Sequence, residues 1–322
     1  MGSRATYRLI SNVAFLLVAW PSSTFGQVAT AEPSAPIITY NAIHHPVVGR
    51  DGMVSSQNAV STRVGVEILE RGGNAIDAAV GVGLALAVTL PRAGNLGGGG
   101  FMVVHLADKD RTVAIDFREV APALAHSNMY FSEDGEVDNA EYRFTHKSSG
   151  VPGTIAGFDH ILREYGTMTW AEVIEPALRL ARDGIEVTDD LAMNLSGSKA
   201  RLTNNPATAA AFYKPDGSDY RSGETLRQPD LAWTLEQLQM GGADAFYRGS
   251  IAERIVADME AHNGIITAKD LADYRVVERE PVRGTYRGFD IAAMSAPSSG
   301  GMHIVQMLNI MENFPIKEMG YG

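Results

Sequence analysis

The sequence predicts an α+β fold built in layers, and three observations carry that prediction. Two β-rich runs, "FMVVHL" and "TVAIDF", flank a polar turn near residue 110, and a second pair of strand candidates lies near residue 285. Between the two pairs, apolar residues recur at helical spacing. Ahead of the first pair stands a helix that is apolar nearly all round, the pattern of a segment buried between layers. With 322 residues, 45% of them hydrophobic, the chain can bury a substantial core as one large domain or two ordinary ones.

The elements follow in order. From Ser61 onward, Val64, Ile68 and Leu69 share a helical face, and Gly72-Gly73 stop the helix. Asn74 can cap the apolar helix 75–90, whose length and Asp77 argue against a membrane span. Strands 101–106 and 112–117 form a hairpin around "ADKDR". Residues 145–153 read as a Ser/Gly/Pro loop, and 155–165 as a helix with an apolar stripe. Thr169 and Glu172 have capping-box spacing at the start of the next helix. Pro176 lies inside that helix and should kink it, and Gly184 closes it. Further helices are expected at 231–239, 251–261 and 269–274, then strands at 282–286 and 289–294, then a helix from Gly301 to Glu312. There is no internal repeat and no low-complexity tract.

The formal charge is −11, with acids dispersed and no basic block, so nucleic-acid binding is not expected. Cysteine is absent, which excludes disulfides, zinc-cysteine sites and a cysteine nucleophile in this chain. Arg4 and Arg8 precede the apolar run 13–20, and small residues follow near Gly26 and Ala31. That order reads as a signal peptide over 1–26, with a secreted or periplasmic destination and no membrane attachment after its removal. Residues 27–48, with Pro33, Pro36 and Pro46, read as a mobile entry to a domain spanning 49–322. The closing "PIKEMGYG" resembles a loop after a helix, and the polypeptide is expected to continue beyond it.

Several motifs invite chemistry. Gly97 to Gly100 lack the Gly-Lys-Ser/Thr ending of a phosphate loop and stand between helix and strand, the wrong order for a dinucleotide fingerprint. A tight turn with close backbone approach is the expected use. The eight histidines show no HExxH and no ligand pair at helical spacing, so no metal site is expected. Ser298 and Ser299 lack a GxSxG context; helix capping by Ser299, or a glycine-rich turn, is expected. Asn194-Leu195-Ser196 is a formal glycosylation sequon. In "AIDFREVAP", strand alternation puts Val113, Ile115 and Phe117 on one face, and Asp116 and Arg118 on the other. Asp116 is then placed to orient Arg118. Two readings stand open there: a structural ion pair at a strand end, or a guanidinium fork waiting for a substrate carboxylate.

The chain closely resembles the large-subunit part of the γ-glutamyltranspeptidases. The matching segments are "GGNAIDAAVG", "AGNLGGGGFM", "AIDFREVAP", "SSGVPGTIAGF", "YGTMTWAEVIEPALRLARDGIEV", "DLADYRVVEREPVRGTYRGF" and "APSSGGMHIVQMLNIMENF". They run from about residue 40 to 322 in the expected order. Where the family usually has three prolines before Ser-Ser-Gly-Gly, this chain has Ser295-Ala296-Pro297.

The resemblance implies the N-terminal-nucleophile hydrolase fold, a four-layer αββα sandwich that would be incomplete in this chain. It implies a precursor that cuts itself into two subunits and needs no cofactor. The threonine freed at the start of the small subunit attacks a γ-glutamyl amide such as glutathione. Water or an amino acid or peptide acceptor then takes the γ-glutamyl group. Arg118 occupies the position of the arginine that grips the substrate α-carboxylate, with Asp116 and Glu119 as candidates to orient it. Nucleophile, oxyanion donors and most α-amino contacts would belong to the small subunit, so this chain alone would be inactive. The alternatives are an acylase of the cephalosporin or glutaryl type, or a capsule-processing relative, within the same superfamily, and a catalytically inactive binding protein.

Overall fold

Asn58 opens the first helix. In the computed structural model, which describes residues 47–319, its side-chain oxygen accepts the N–H groups of Val60 and Ser61 and starts α1, Ala59–Glu70. The Gly73 N–H returns to the Ile68 carbonyl and closes that helix. Asn74 then caps α2, Ala75–Thr89, in a capping box with Asp77. α2 is buried on almost every side, as its composition predicts. The signal-peptide reading of 1–26 lies outside the described residues, as does the 27–48 segment apart from Val47 and Val48.

Asp77 shows why an acid can sit in so apolar a helix. Its carboxylate is fully buried and accepts the N–H groups of Asn74 (2.8 Å), Thr167 (3.0 Å) and Met168 (3.1 Å) and the Thr167 hydroxyl (2.6 Å). Burial by itself would raise its pKa, but these donors outweigh it and hold the carboxyl below the usual carboxylate value.

The first hairpin forms as expected: β1, Phe101–Leu106, pairs antiparallel with β2, Arg111–Asp116, placing Phe101 opposite Asp116. A mostly helical stretch follows: α3 Asn139–Phe144, α4 Thr154–Tyr165, α5 Trp170–Asp183, β3 Ile185–Glu186, α6 Asp189–Leu202, α7 Pro206–Phe212, β4 Thr225–Leu226, α8 Pro229–Tyr247, α9 Ser250–Ala261 and α10 Ala268–Asp273. α5 carries the predicted Thr169–Glu172 capping box and runs unbroken past the buried Pro176. α8 breaks at Gly242, where φ is 58°. The α1, α4 and α5 helices pack on α2, and α8 packs on α5.

After α10 the chain returns to the first hairpin. β5, Val277–Arg279, pairs antiparallel with β2 and gives a sheet of order β1-β2-β5. β2 is therefore the central strand, and both its faces are buried: Ala114 and Asp116 as well as Val113 and Ile115. Finally β6, Val282–Tyr286, and β7, Phe289–Ala293, join through Arg287-Gly288, both at positive φ, the two-residue turn that matches strand twist. α11, Gly300–Met311, packs on that hairpin, and α12, Ile316–Met319, follows.

The expected Ser299 cap changes. Ser299 makes no capping hydrogen bond; the Ser298 hydroxyl accepts the Gly300 N–H instead. The formal sequon lies inside α6, where the Asn194 amide donates to the Asp190 carbonyl. As expected of an incomplete sandwich, the described residues hold one three-stranded and two two-stranded sheets. Among the described residues, no helix is long and apolar enough to cross a membrane.

Candidate functional site

Arg118 lies two residues past the end of β2, and the structure fixes its main chain from four sides. Its N–H donates to Asp116 Oδ1 at 3.1 Å. Its carbonyl accepts the Tyr274 hydroxyl at 2.9 Å. Before it, Phe117 exchanges both backbone hydrogen bonds with Gly100; after it, Val120 does the same with Val151. Phe117 is buried, its ring edge-on to Phe158, and anchors the strand end with about 1.5–3 kcal/mol of side-chain burial. Above this rigid segment the Arg118 side chain is exposed and makes no ion pair among the described residues.

The glycines explain how so many segments converge. A Cβ on Gly99 would stand 2.5 Å from the Phe117 carbonyl oxygen and 2.9 Å from the Arg118 Cα. A Cβ on Gly153 would collide with the Phe117 carbonyl and the Tyr274 hydroxyl. The glycine run is thus a close-approach device, as expected from its lack of a phosphate-loop ending.

Asp116 is buried, and it does not pair with the Arg118 guanidinium. Its second oxygen accepts Arg279 Nε at 2.9 Å, a bond across the β2–β5 pair. The predicted orienting role therefore acts on the Arg118 main chain, and the cation that neutralises Asp116 comes from a strand the sequence did not reveal. A buried carboxylate at a strand end demands a cationic partner, but which of the 27 Lys and Arg residues supplies it is a tertiary matter. Glu119 is exposed, with no side-chain hydrogen bond or ion pair among the described residues.

Two tyrosines complete the support. Tyr247 stacks on Tyr274 with ring centroids 5.9 Å apart. Its hydroxyl donates to the Pro152 carbonyl and accepts the Ala156 N–H. Burial, then the charges of Asp116 and Glu119, push the Tyr274 hydroxyl well above its usual range; burial does the same to Tyr247. Both stay protonated, so the bond to the Arg118 carbonyl persists across ordinary pH. A cleft of about 430 Å³ lies beside this pair, lined in part by His160, Arg163, Arg248 and Arg275, and Arg118 is not in its wall.

The structure adds a grouping that the reading of histidine pairs did not consider. Asp258 and His262 are four residues apart at the end of α9, a helical ligand spacing, and His146 stands beside them. A search for pairs among histidines alone overlooks the carboxylate, and the third group arrives only through tertiary packing.

A fixed main chain under an exposed guanidinium can hold a carboxylate in a two-pronged, charge-assisted grip. Comparisons with known proteins agree with the sequence motifs. The γ-glutamyltranspeptidase family pattern matches residues 61–322, and the chain belongs to that family. It is 48% identical over 297 residues to the glutathione hydrolase proenzyme of Escherichia coli K12, covering 91% of this chain and 51% of that one. Helicobacter pylori γ-glutamyltranspeptidase superposes with a TM-score of 0.84 at 44% identity, over 86% of this chain and 79% of that one. Cephalosporin acylase from Bacillus halodurans superposes with a TM-score of 0.67 at 26% identity, over 86% and 53%. The fold is that of the N-terminal-nucleophile hydrolases. The chain spans about half the length of the curated relatives it matches.

Proposed function

We propose that this chain is the large-subunit part of a γ-glutamyltranspeptidase. It would cleave γ-glutamyl amides such as glutathione and pass the γ-glutamyl group to water or to an amino acid or peptide amine. The observation that carries the reading is the exposed Arg118 guanidinium on a main chain braced by Asp116, Tyr274 and Gly99. A preorganised fork loses little conformational freedom when the substrate α-carboxylate docks.

The nucleophile would be a threonine in the part of the precursor that this chain does not span, freed by self-cleavage. Its hydroxyl oxygen attacks the γ-carbonyl carbon while its own α-amino group takes the proton. The amide C–N bond breaks, the amine leaves with that proton, and an acyl-threonine ester remains. Water or an acceptor amine then attacks the ester carbonyl and restores the threonine. Oxyanion donors would also come from the small subunit. Residues 1–26 would direct secretion or periplasmic export.

The test uses the full-length processed protein with γ-glutamyl and glutaryl p-nitroanilides. The γ-glutamyl substrate, which alone carries the α-amino group beside the carboxylate that both acyl groups share, should be strongly preferred. Arg118→Lys should lower kcat/KM for it by about tenfold or more, since a lost charge-assisted contact contributes about 1.5–3 kcal/mol. The 322-residue chain alone should release no nitroaniline. Equal turnover of both anilides, unaffected by Arg118→Lys, would replace this reading with the acylase one.

A further inference from the structure

We propose a second, chemically separate site: a surface centre for a divalent transition-metal cation of the zinc type, built from His146, Asp258 and His262. It does not depend on the proposed transpeptidase activity.

The three side chains come from two segments far apart in sequence. Asp258 lies in the last turn of α9, and His262 caps that helix one turn on. His146 begins a short 3₁₀ turn, His146–Ser148. His146 Nε2 lies 2.9 Å from Asp258 Oδ2, and His262 Nδ1 lies 3.1 Å from Asp258 Oδ1. The two imidazoles are stacked, with centroids 4.5 Å apart and planes 11° from parallel. All three donor atoms fall within 4.8 Å of one another.

The backbone is shaped to admit this cluster. Just past α9, Asn263 takes φ of 57° and Gly264 follows. A Cβ on Gly264 would stand 3.0 Å from the His146 Cβ and would strike the Met259 sulfur. A side chain at that position would crowd His146 out of the stack.

The donor set selects the ion. Two imidazole nitrogens and one carboxylate suit zinc and its neighbours, whereas calcium and magnesium want oxygen ligands. Zinc bonds of about 2.1 Å in a tetrahedron separate ligand atoms by roughly 3.4 Å. The two contacts to the carboxylate need to open by roughly 0.3–0.5 Å, donor atoms now up to 4.8 Å apart must close, and one of the stacked imidazoles must turn so that both in-plane lone pairs meet the ion. The imidazole protons now directed at Asp258 would move to the other ring nitrogens, leaving His146 Nε2 and His262 Nδ1 free to bind. The Asp258 and His262 side chains are more than half exposed, so the ion has an open entry path and water can complete the shell. Occupancy would tie the 3₁₀ turn to α9, a few residues before the Val151 strand contact that braces the Arg118 segment.

The test is calorimetric titration of the chelator-stripped, full-length protein, free of any polyhistidine tag, with zinc sulfate. One equivalent should bind, while calcium and magnesium give no saturable heat. His146→Gln and His262→Gln should each weaken binding on the order of 100-fold or more, at or above the upper end for losing an outer-shell partner. His262→Gln lies at an exposed helix end, so it carries the test if His146→Gln fails to fold. Cobalt(II) gives a second readout: visible absorption of tetrahedral intensity in the wild type, lost in the variants. No saturable zinc binding, or binding and spectra unchanged in the folded variants, would overturn the proposal.

Discussion

Replacing Gly99 by alanine puts a methyl group against three main-chain atoms of the strand that carries Arg118. The new Cβ would stand 2.5 Å from the Phe117 carbonyl oxygen, 2.7 Å from the Glu119 nitrogen and 2.9 Å from the Arg118 Cα. Ordinary contact begins near 3.4 Å, so the shortfall runs from roughly half an ångström to nearly one. None of these atoms belongs to a flexible side chain, and the flanking residues are hydrogen-bonded to Gly100 and Val151. The strand must move as a unit. Such overpacking costs about 1–3 kcal/mol, offset by about 0.4–1 kcal/mol from the stiffer unfolded chain. Gly97 supplies the control, because a Cβ there meets nothing within 4 Å and its φ is not positive. Urea unfolding of the full-length protein should show Gly99→Ala destabilised by roughly 1–2 kcal/mol, with Gly97→Ala unchanged or slightly stabilised. Misplacing a binding group by 1 Å can cost about 100-fold, so a shift near half that size should cut kcat/KM for a γ-glutamyl anilide by roughly tenfold. Equal stability and equal kinetics for the two variants would refute the claim that close approach at Gly99 sets the position of Arg118.

Two further predictions concern buried carboxylates. Asp77 has a lowered native pKa, so its stabilisation is complete above about pH 5 and drains away as pH falls through that native value. Asp77→Asn should cost about 2–3 kcal/mol at neutral pH and flatten that part of the acid limb; superimposable urea midpoints of variant and wild type between pH 7 and pH 3 would contradict this. Arg279→Met removes the cation that Asp116 faces and should cost about 1–3 kcal/mol, toward the lower end because the arginine is partly exposed. Adding Asp116→Asn should recover part of that loss in a double-mutant cycle, and strict additivity would show that the two residues are not coupled.

Local chemistry was legible in the sequence wherever a residue acts through its near neighbours. The Asn74 and Thr169 caps, the burial of the α2 helix, the first hairpin and the strands of the second could be read because capping, periodicity and turn chemistry act within a few residues. β5 was not legible, because three residues with no alternation become a strand only when β2 offers its open edge. α6 was missed because only Leu191 and Leu195 are buried along it, too few to mark a stripe. Asp116 shows the same division within one residue. Its acidity and its place at a strand end marked it in the sequence, while Arg279, its actual partner, emerged only when β5 joined the sheet.

The sequence by itself determined the family, the α+β class and Arg118 as the residue to watch, since motif order and residue type are written along the chain. Only the tertiary structure decided that Arg118 sits on a braced main chain with no ion pair among the described residues, that Asp116 serves Arg279, and that His146 meets Asp258 and His262. Those relations join residues that are distant in the chain, and packing of the whole core, not any local preference, determines which of many chemically similar partners ends up in reach.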